Sequence, residues 1–101
     1  MEDTTINLEE IGAINAQQQA KLYPDTFEAL LQPQLDCIAK DDFVKVCVDG
    51  ERFWILVESV KKNVIKGTVN NILLMSDEHS LYFGDTVQFS KKHVYSHLKA
   101  D

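Results

Sequence analysis

The feature that most constrains the fold of this chain is the pair Asp49-Gly50, which lies between two segments of alternating hydrophobicity, Phe43 to Val48 and Glu51 to about Val60. Asp-Gly is a preferred sequence for the type I′ turn, because that turn requires positive φ at both central residues. The pattern therefore predicts a β-hairpin with a two-residue loop. Such a loop sets the facing pairs as Val48 with Glu51, Cys47 with Arg52, Val46 with Phe53, Lys45 with Trp54 and Val44 with Ile55.

This register places the two adjacent aromatic residues of the hairpin on opposite faces of the sheet. Phe53 falls on a nearly all-apolar face, the predicted core: Val44, Val46, Val48, Phe53, Ile55 and Val57. Trp54 falls on the other face, where the ammonium of Lys45 can lie over the indole ring. Because tryptophan and arginine are enriched at binding hot spots, we predict a binding surface there. Its residues are Lys45, Arg52, Trp54 and Leu56. The alternative is that the N-terminal helices cover Trp54 and make it part of a second core.

The remainder of the second half predicts further strands. Lys61 to Asn63 reads as a turn, and a third strand runs from Val64 to about Asn71. Gly67 lies inside that strand, where a bulge or a close backbone approach is expected. A fourth strand is predicted from Val87 to Phe89, and Lys92 to Lys99 is predicted to be a short helix or strand.

The sequence of residues 1–50 predicts helices before the hairpin. Asn7 followed by Glu10 resembles a capping box. Apolar residues then recur on one face at helical spacing: Leu8, Ile11 and Ile14. Tyr23-Pro24 ends this helix, because a residue that precedes proline is driven out of the α region. Residues 25–40 carry a second pattern interrupted at Pro33, which fits one kinked helix, two short helices or a partly irregular segment.

Together these patterns predict a single α+β domain over residues 1–101, helical over about residues 5–40 and a β-sheet over about residues 43–98. The N-terminal helices are expected to pack on a C-terminal antiparallel β-meander of four or five strands. A strongly twisted meander of this kind can curl into an SH3-like half-barrel.

The charge of the chain is unevenly distributed. The net charge is −6, and it comes entirely from residues 1–50, which hold ten acidic residues and three lysines. An acidic chain argues against nonspecific nucleic-acid binding, where neutralisation of phosphates supplies most of the affinity. No apolar run is long enough to span a bilayer, and the acidic N-terminus lacks the features of a secretory signal. We therefore expect a cytoplasmic protein that does not engage a membrane.

Six short boxes resemble a family of small bacterial and phage proteins that form a domain of unknown function. They are Y-P-D-T-F at 23–27, D-F-V-K-V at 42–46, G-E-R-F-W at 50–54, G-T-V-N-N at 67–71, F-G-D-T-V-Q-F at 83–89 and K-H-V-Y at 92–95. The resemblance covers about residues 22–96 and implies a fold more than an activity, because no box is a catalytic signature. Family members tend to occur on mobile elements, which implies a role in conflict between such an element and its host.

Neither the histidines nor the cysteines predict a reactive centre. His93 and His97 have the spacing of a metal pair on a helix, but His79 would have to supply a third ligand from a distant loop. Cys47 faces Arg52, which can activate a thiol, yet the sequence specifies neither a base nor an oxyanion site. We predict no catalytic residue, no metal and no cofactor, with an enzyme of unknown reaction as the weaker alternative.

The basic positions of the second half offer a competing function, the binding of single-stranded nucleic acid by stacking and charge on an SH3-like barrel. They are Lys61, Lys62, Lys66, Lys91 and Lys92. We predict instead a non-catalytic protein-binding module, a small inhibitor or adaptor from a bacterium, phage or mobile element with an anti-defence role. An exposed edge strand would also allow a homodimer.

Overall fold

The computed structural model describes residues 5–23, 32–48, 51–70, 81–94 and 96–99, which form a six-stranded mixed sheet and two short helices. The strands are β1 (Ile6–Asn7), β2 (Phe43–Val48), β3 (Glu51–Lys61), β4 (Val64–Val69), β5 (Thr86–Ser90) and β6 (Ser96–Leu98). The helices are α1 (Ala16–Leu22) and α2 (Gln32–Asp36), and a 3₁₀ turn (Lys91–His93) joins β5 to β6. The α+β class is therefore confirmed. In the described parts of the chain, no helix is long and apolar enough to cross a membrane.

The predicted hairpin register is confirmed. β2 and β3 are antiparallel, and every predicted pair is observed, from Val48 opposite Glu51 to Val44 opposite Ile55. The predicted core face is buried throughout: Val44, Val46, Val48, Phe53, Ile55 and Val57. The Asp49-Gly50 turn itself lies outside the described residues. The predicted two-residue loop sets this register, and the register agrees with the alternation of apolar residues, which allows only one face of each strand to enter the core.

The sheet differs from the predicted antiparallel meander at its two edges. Its order is β1-β5-β4-β3-β2-β6, and all neighbours are antiparallel except β1 and β5, where Ile6 pairs in parallel with Val87. β6 returns to pair with β2, so the last described strand lies beside the first strand of the hairpin. The segment predicted as either a short helix or a strand contains part of the 3₁₀ turn and the whole of β6.

The prediction that a helix begins at Asn7 is wrong, because Asn7 belongs to β1. Its side-chain Oδ1 accepts from the Glu9 amide at 3.0 Å, which closes a turn instead of capping a helix. The helix begins later, at Ala16, with Asn15 as its N-cap. Asn15 Oδ1 accepts from the Gln18 amide at 3.1 Å. The extended conformation of β1 prevails because β5 supplies hydrogen-bonding partners for it, whereas a short helix is only marginally stable without tertiary packing.

Both described helices are shorter than predicted. α1 ends at Leu22, with Tyr23 as the C-cap, in agreement with the predicted stop before proline. α2 has Pro33 in its first turn, as expected, but ends at Asp36 instead of about Lys40. The pattern at residues 25–31 lies outside the described residues. Helical structure therefore accounts for only part of the segment over residues 5–40.

Residues 8–14 run across the sheet from β5 to β2. The amide of Leu8 donates to the carbonyl of Gln88 in β5 at 3.0 Å, and the amide of Ile14 donates to the carbonyl of Cys47 in β2 at 3.0 Å. Ala13 pairs with Val48 beside this second bond. The outer edge of β2 is therefore paired with β6 over its first half and with Ala13 and Ile14 over its second half, which covers an edge that would otherwise be exposed.

Gly67 marks a close approach of β4 to β3. A Cβ placed there would overlap the carbonyl oxygen of Leu56 and would lie 2.7 Å from Ile55 Cγ2. The register shift in this pair of strands occurs on β3, between Val57 and Ser59. The sequence offered a bulge or a close approach at Gly67. The close approach is at Gly67, and the extra residue of the irregular pairing is Glu58 on the partner strand.

Candidate functional site

The face of the sheet opposite the core carries the predicted binding residues. We call it the outer face, formed by Phe43, Lys45, Arg52, Trp54, Leu56, Thr68, Ser96 and Leu98. Phe43 lies between Leu98 on β6 and Leu56 on β3, because it pairs with both. Lys45 lies beside it on the same strand and pairs with Trp54. Four adjacent large apolar side chains therefore occupy the centre of this face.

Trp54 is the largest of these side chains and is only partly buried. Lys45 Nζ lies 5.3 Å from the centroid of its ring, which is within cation–π range. The Trp54 carbonyl accepts from the Asn70 amide at 2.9 Å, so the backbone of β3 is held firmly at this position. Beside the indole is an open cleft of about 290 Å³. Its lining residues are Phe43, Trp54, Asn70 and Leu98.

The described helices pack elsewhere. α2 and the turn after it enter the core on the other side of the sheet through Leu35 and Ile38. α1 lies against the 3₁₀ turn. Leu98, which borders the cleft, is 55% exposed. The expectation that the N-terminal helices cover Trp54 is therefore not met by the helices that the structure describes.

Charge on the outer face is arranged along β3. Arg52 is exposed at one side of Trp54, and Glu58 is exposed beyond Leu56 at the other side. Cys47, which pairs with Arg52, is buried. The predicted contact residues thus present an apolar centre with a cationic end, formed by Lys45 and Arg52, on a chain whose net charge is negative.

The five lysines of the alternative nucleic-acid surface are placed in different environments. Lys61 and Lys62 are exposed at the turn from β3 to β4, and Lys66 is partly buried on β4. Lys92 is exposed, with its Nζ 4.0 Å from Glu9 Oε1. Lys91 is buried. A continuous patch of five accessible ammonium groups is therefore not formed.

A buried carboxylate that the sequence analysis did not single out connects three parts of the chain. Asp42 is 1% exposed. Its Oδ2 accepts from the Ala39 amide at 2.9 Å and from His97 Nε2 at 2.8 Å. Lys99 Nζ donates to the same oxygen at 3.2 Å and to the Cys37 carbonyl at 2.7 Å. This network ties the end of the chain to the start of β2, at the edge of a cavity of about 420 Å³.

The two histidines considered as a metal pair have separate partners. His97 binds Asp42, whereas His93 Nδ1 donates to the Ile14 carbonyl at 3.0 Å. Glu9 Oε1 lies 3.2 Å from His93 Nε2 but in a direction that gives no hydrogen bond. Among the described residues, no three His, Cys, Asp or Glu side chains are grouped in a way that could hold a metal ion.

Comparisons of the chain with protein-family models, with curated proteins and with solved structures find no match.

Proposed function

We propose that this chain is a non-catalytic binding module whose outer face docks a protein partner. The observation that carries the proposal is the group of adjacent apolar side chains around Trp54, with Lys45 Nζ stacked 5.3 Å from its ring. A partly buried tryptophan beside an open cleft can lose its remaining water contact when a partner binds. Tryptophan in such a setting is the side chain most often found to dominate binding free energy.

The charges of the outer face favour a partner of complementary charge. Arg52 lies at one end of the outer row of β3 and Glu58 lies at the other end, while Lys45 lies opposite Trp54 on β2. A partner with an apolar centre and a carboxylate facing Arg52 would be complementary, and electrostatic complementarity fixes orientation and speeds association. The net charge of −6 would repel acidic partners from most of the surface, so this face is favoured for their approach.

The strand order supports assignment of the sheet as an SH3-like half-barrel. β2 to β5 follow one another as a meander, and β6 then returns to pair with β2 after the 3₁₀ turn. A meander whose last strand pairs with its first is the connectivity of a sheet that curls towards closure. We further propose a cytoplasmic bacterial or phage protein with an inhibitor or adaptor role, which rests on the resemblance of the sequence boxes.

Replacement of Trp54 by alanine is expected to weaken capture of the physiological partner by about 30-fold, the equivalent of a hot-spot loss of about 2 kcal/mol. The measurement is quantitative affinity capture from host lysate, followed by titration of the purified partner. The matched control is Phe83→Ala, which removes an aromatic ring that is 63% exposed on a turn outside the outer face. Equal loss in both variants, or retention of the same partners by Trp54→Ala, would contradict the proposal.

The competing nucleic-acid function makes a different prediction. If it were correct, single-stranded oligonucleotides would bind at low salt and the affinity would fall steeply as salt is raised. We expect no such binding, because the five lysines do not form the continuous accessible patch that follows the backbone of a strand. Fluorescence anisotropy of a labelled oligonucleotide at low ionic strength checks this point, and salt-sensitive binding there would favour the alternative.

A further inference from the structure

Lys91 is a buried lysine without a protein counter-ion among the described residues. It is 8% exposed and opens the 3₁₀ turn. Both polar groups of its backbone are hydrogen-bonded. The amide donates to the Asn63 carbonyl at 2.8 Å, and the carbonyl accepts from the Val94 amide at 3.1 Å. No described residue offers its Nζ a hydrogen bond or an ion pair. Burial of an ammonium without a paired charge is costly, so this arrangement calls for an explanation.

Lys91 is one of the residues that line a cavity of about 250 Å³. The lining residues are Gln17, Gln32, Leu35, Asn63, Ser90, Lys91 and Lys92. Lys91 Nζ is not sealed within the protein, since the one fully enclosed side-chain atom without a partner among the described residues is His93 Nε2. The ammonium is therefore not fully enclosed, and Lys91 is among the residues that line this cavity.

Among the described residues, the lining supplies donors and no carboxylate. Two ammonium groups, three side-chain amides and one hydroxyl belong to these lining residues. Two acids of the described chain occur close by: Glu9, 4.0 Å from Lys92 Nζ, and Asp36, which accepts from Gln32 Nε2 at 2.8 Å. Neither of them lines the cavity. The electrostatics of the lining therefore favour a negatively charged occupant that accepts several hydrogen bonds.

We propose that this cavity binds a phosphate group, held by the ammonium of Lys91 and reached from the rim by Lys92. A phosphate dianion offers four oxygens and two charges, which matches paired ammonium groups surrounded by amide and hydroxyl donors. A water molecule in the liquid takes about 30 Å³. The cavity thus has room for the phosphate and for part of a small molecule that carries it. The site lies among α1, α2 and the 3₁₀ turn and is independent of the outer face.

The test measures thermal unfolding of the full chain in inorganic phosphate, in glycerol phosphate and in chloride at one constant ionic strength. We expect both phosphates to raise the Tm of the wild type saturably, since a ligand that binds only the folded state stabilises it. A larger rise in Tm with inorganic phosphate would identify the ligand as the free ion. A larger rise with glycerol phosphate would identify it as a phosphorylated small molecule. No stabilisation by either beyond that in chloride would overturn the proposal.

Two lysine variants locate the site. Lys91→Met keeps the aliphatic stem and removes the charge, so it should raise the Tm in chloride and weaken phosphate binding by at least about tenfold. Lys61→Met removes an exposed charge outside the cavity and should keep the wild-type response. An unchanged phosphate response in Lys91→Met would overturn the assignment.

A second measurement covers the case in which Lys91→Met does not fold. Titration of ¹⁵N-labelled wild type with inorganic phosphate should shift the amide resonances of Asn63 and Lys92 more than those of the outer face. Absent or evenly distributed shifts would count against the site.

Discussion

Replacement of Asp42 by alanine is expected to lower the free energy of unfolding by about 3–5 kcal/mol, the range measured when one partner of a buried charged network is removed. The substitution deprives the Ala39 amide, His97 and Lys99 of the oxygen that they share. His97 would then have a buried ring nitrogen without an acceptor. Urea denaturation followed by circular dichroism measures the change.

The matched control for this prediction is Glu10→Ala, which removes one negative charge from an exposed turn residue and should change stability by less than about 0.5 kcal/mol. A double-mutant cycle gives a sharper check. Because Asp42 and His97 interact directly, His97→Ala should cost less in the Asp42→Ala background than in the wild type. Fully additive losses would show that the network contributes nothing as a unit.

Replacement of Gly67 by alanine is expected to destabilise the fold by about 2–3 kcal/mol, as overpacking of a close interior contact does. The new Cβ would overlap the carbonyl oxygen of Leu56 and approach Ile55 Cγ2 to 2.7 Å. The first of these atoms is backbone in the middle of the sheet, so relief requires β3 and β4 to move apart and weakens their hydrogen bonds. Chemical denaturation of the variant measures the loss.

Thr68→Ala serves as the comparison for Gly67→Ala, because it changes the next residue of β4 on the opposite, partly exposed face. We expect it to cost under about 1 kcal/mol, the range of strand propensity. If the two variants lost similar stability, the gap between β3 and β4 at Gly67 would be wider than the structure shows.

The hairpin shows what sequence patterning determines. Alternation and the Asp-Gly turn act over a few residues, so the register and the opposite placement of Phe53 and Trp54 followed from local rules. β1 shows the limit of such rules. The helical pattern after Asn7 is a local preference. The strand forms instead because Ile6 pairs with Val87, a residue that is distant in sequence. Tertiary pairing of this kind overrides a local propensity of a few tenths of a kcal/mol per residue.

The polar sites show the same limit. Asp42 entered the sequence analysis only as the first residue of the D-F-V-K-V box, because nothing local marks His97 or Lys99 as its partners. Lys91 was grouped with the other lysines as surface charge, although it is buried in the 3₁₀ turn between β5 and β6. Burial of a charged side chain depends on the packing of several segments, and composition or spacing carries no information on it. The outer face around Trp54 was predicted from the sequence because the two-residue period of a strand alone defines which residues share a face.

The crossing of residues 8–14 between β5 and β2 has a consequence for the order of folding during synthesis. These residues are synthesised before one of their partners, Gln88, which follows Leu8 by about 80 residues. The β2–β3 hairpin can form as soon as it emerges, because its contacts are close in sequence. β1 and the crossing segment can pair with β5 only after β5 has been synthesised, so these earlier residues reach their final position after the hairpin that follows them.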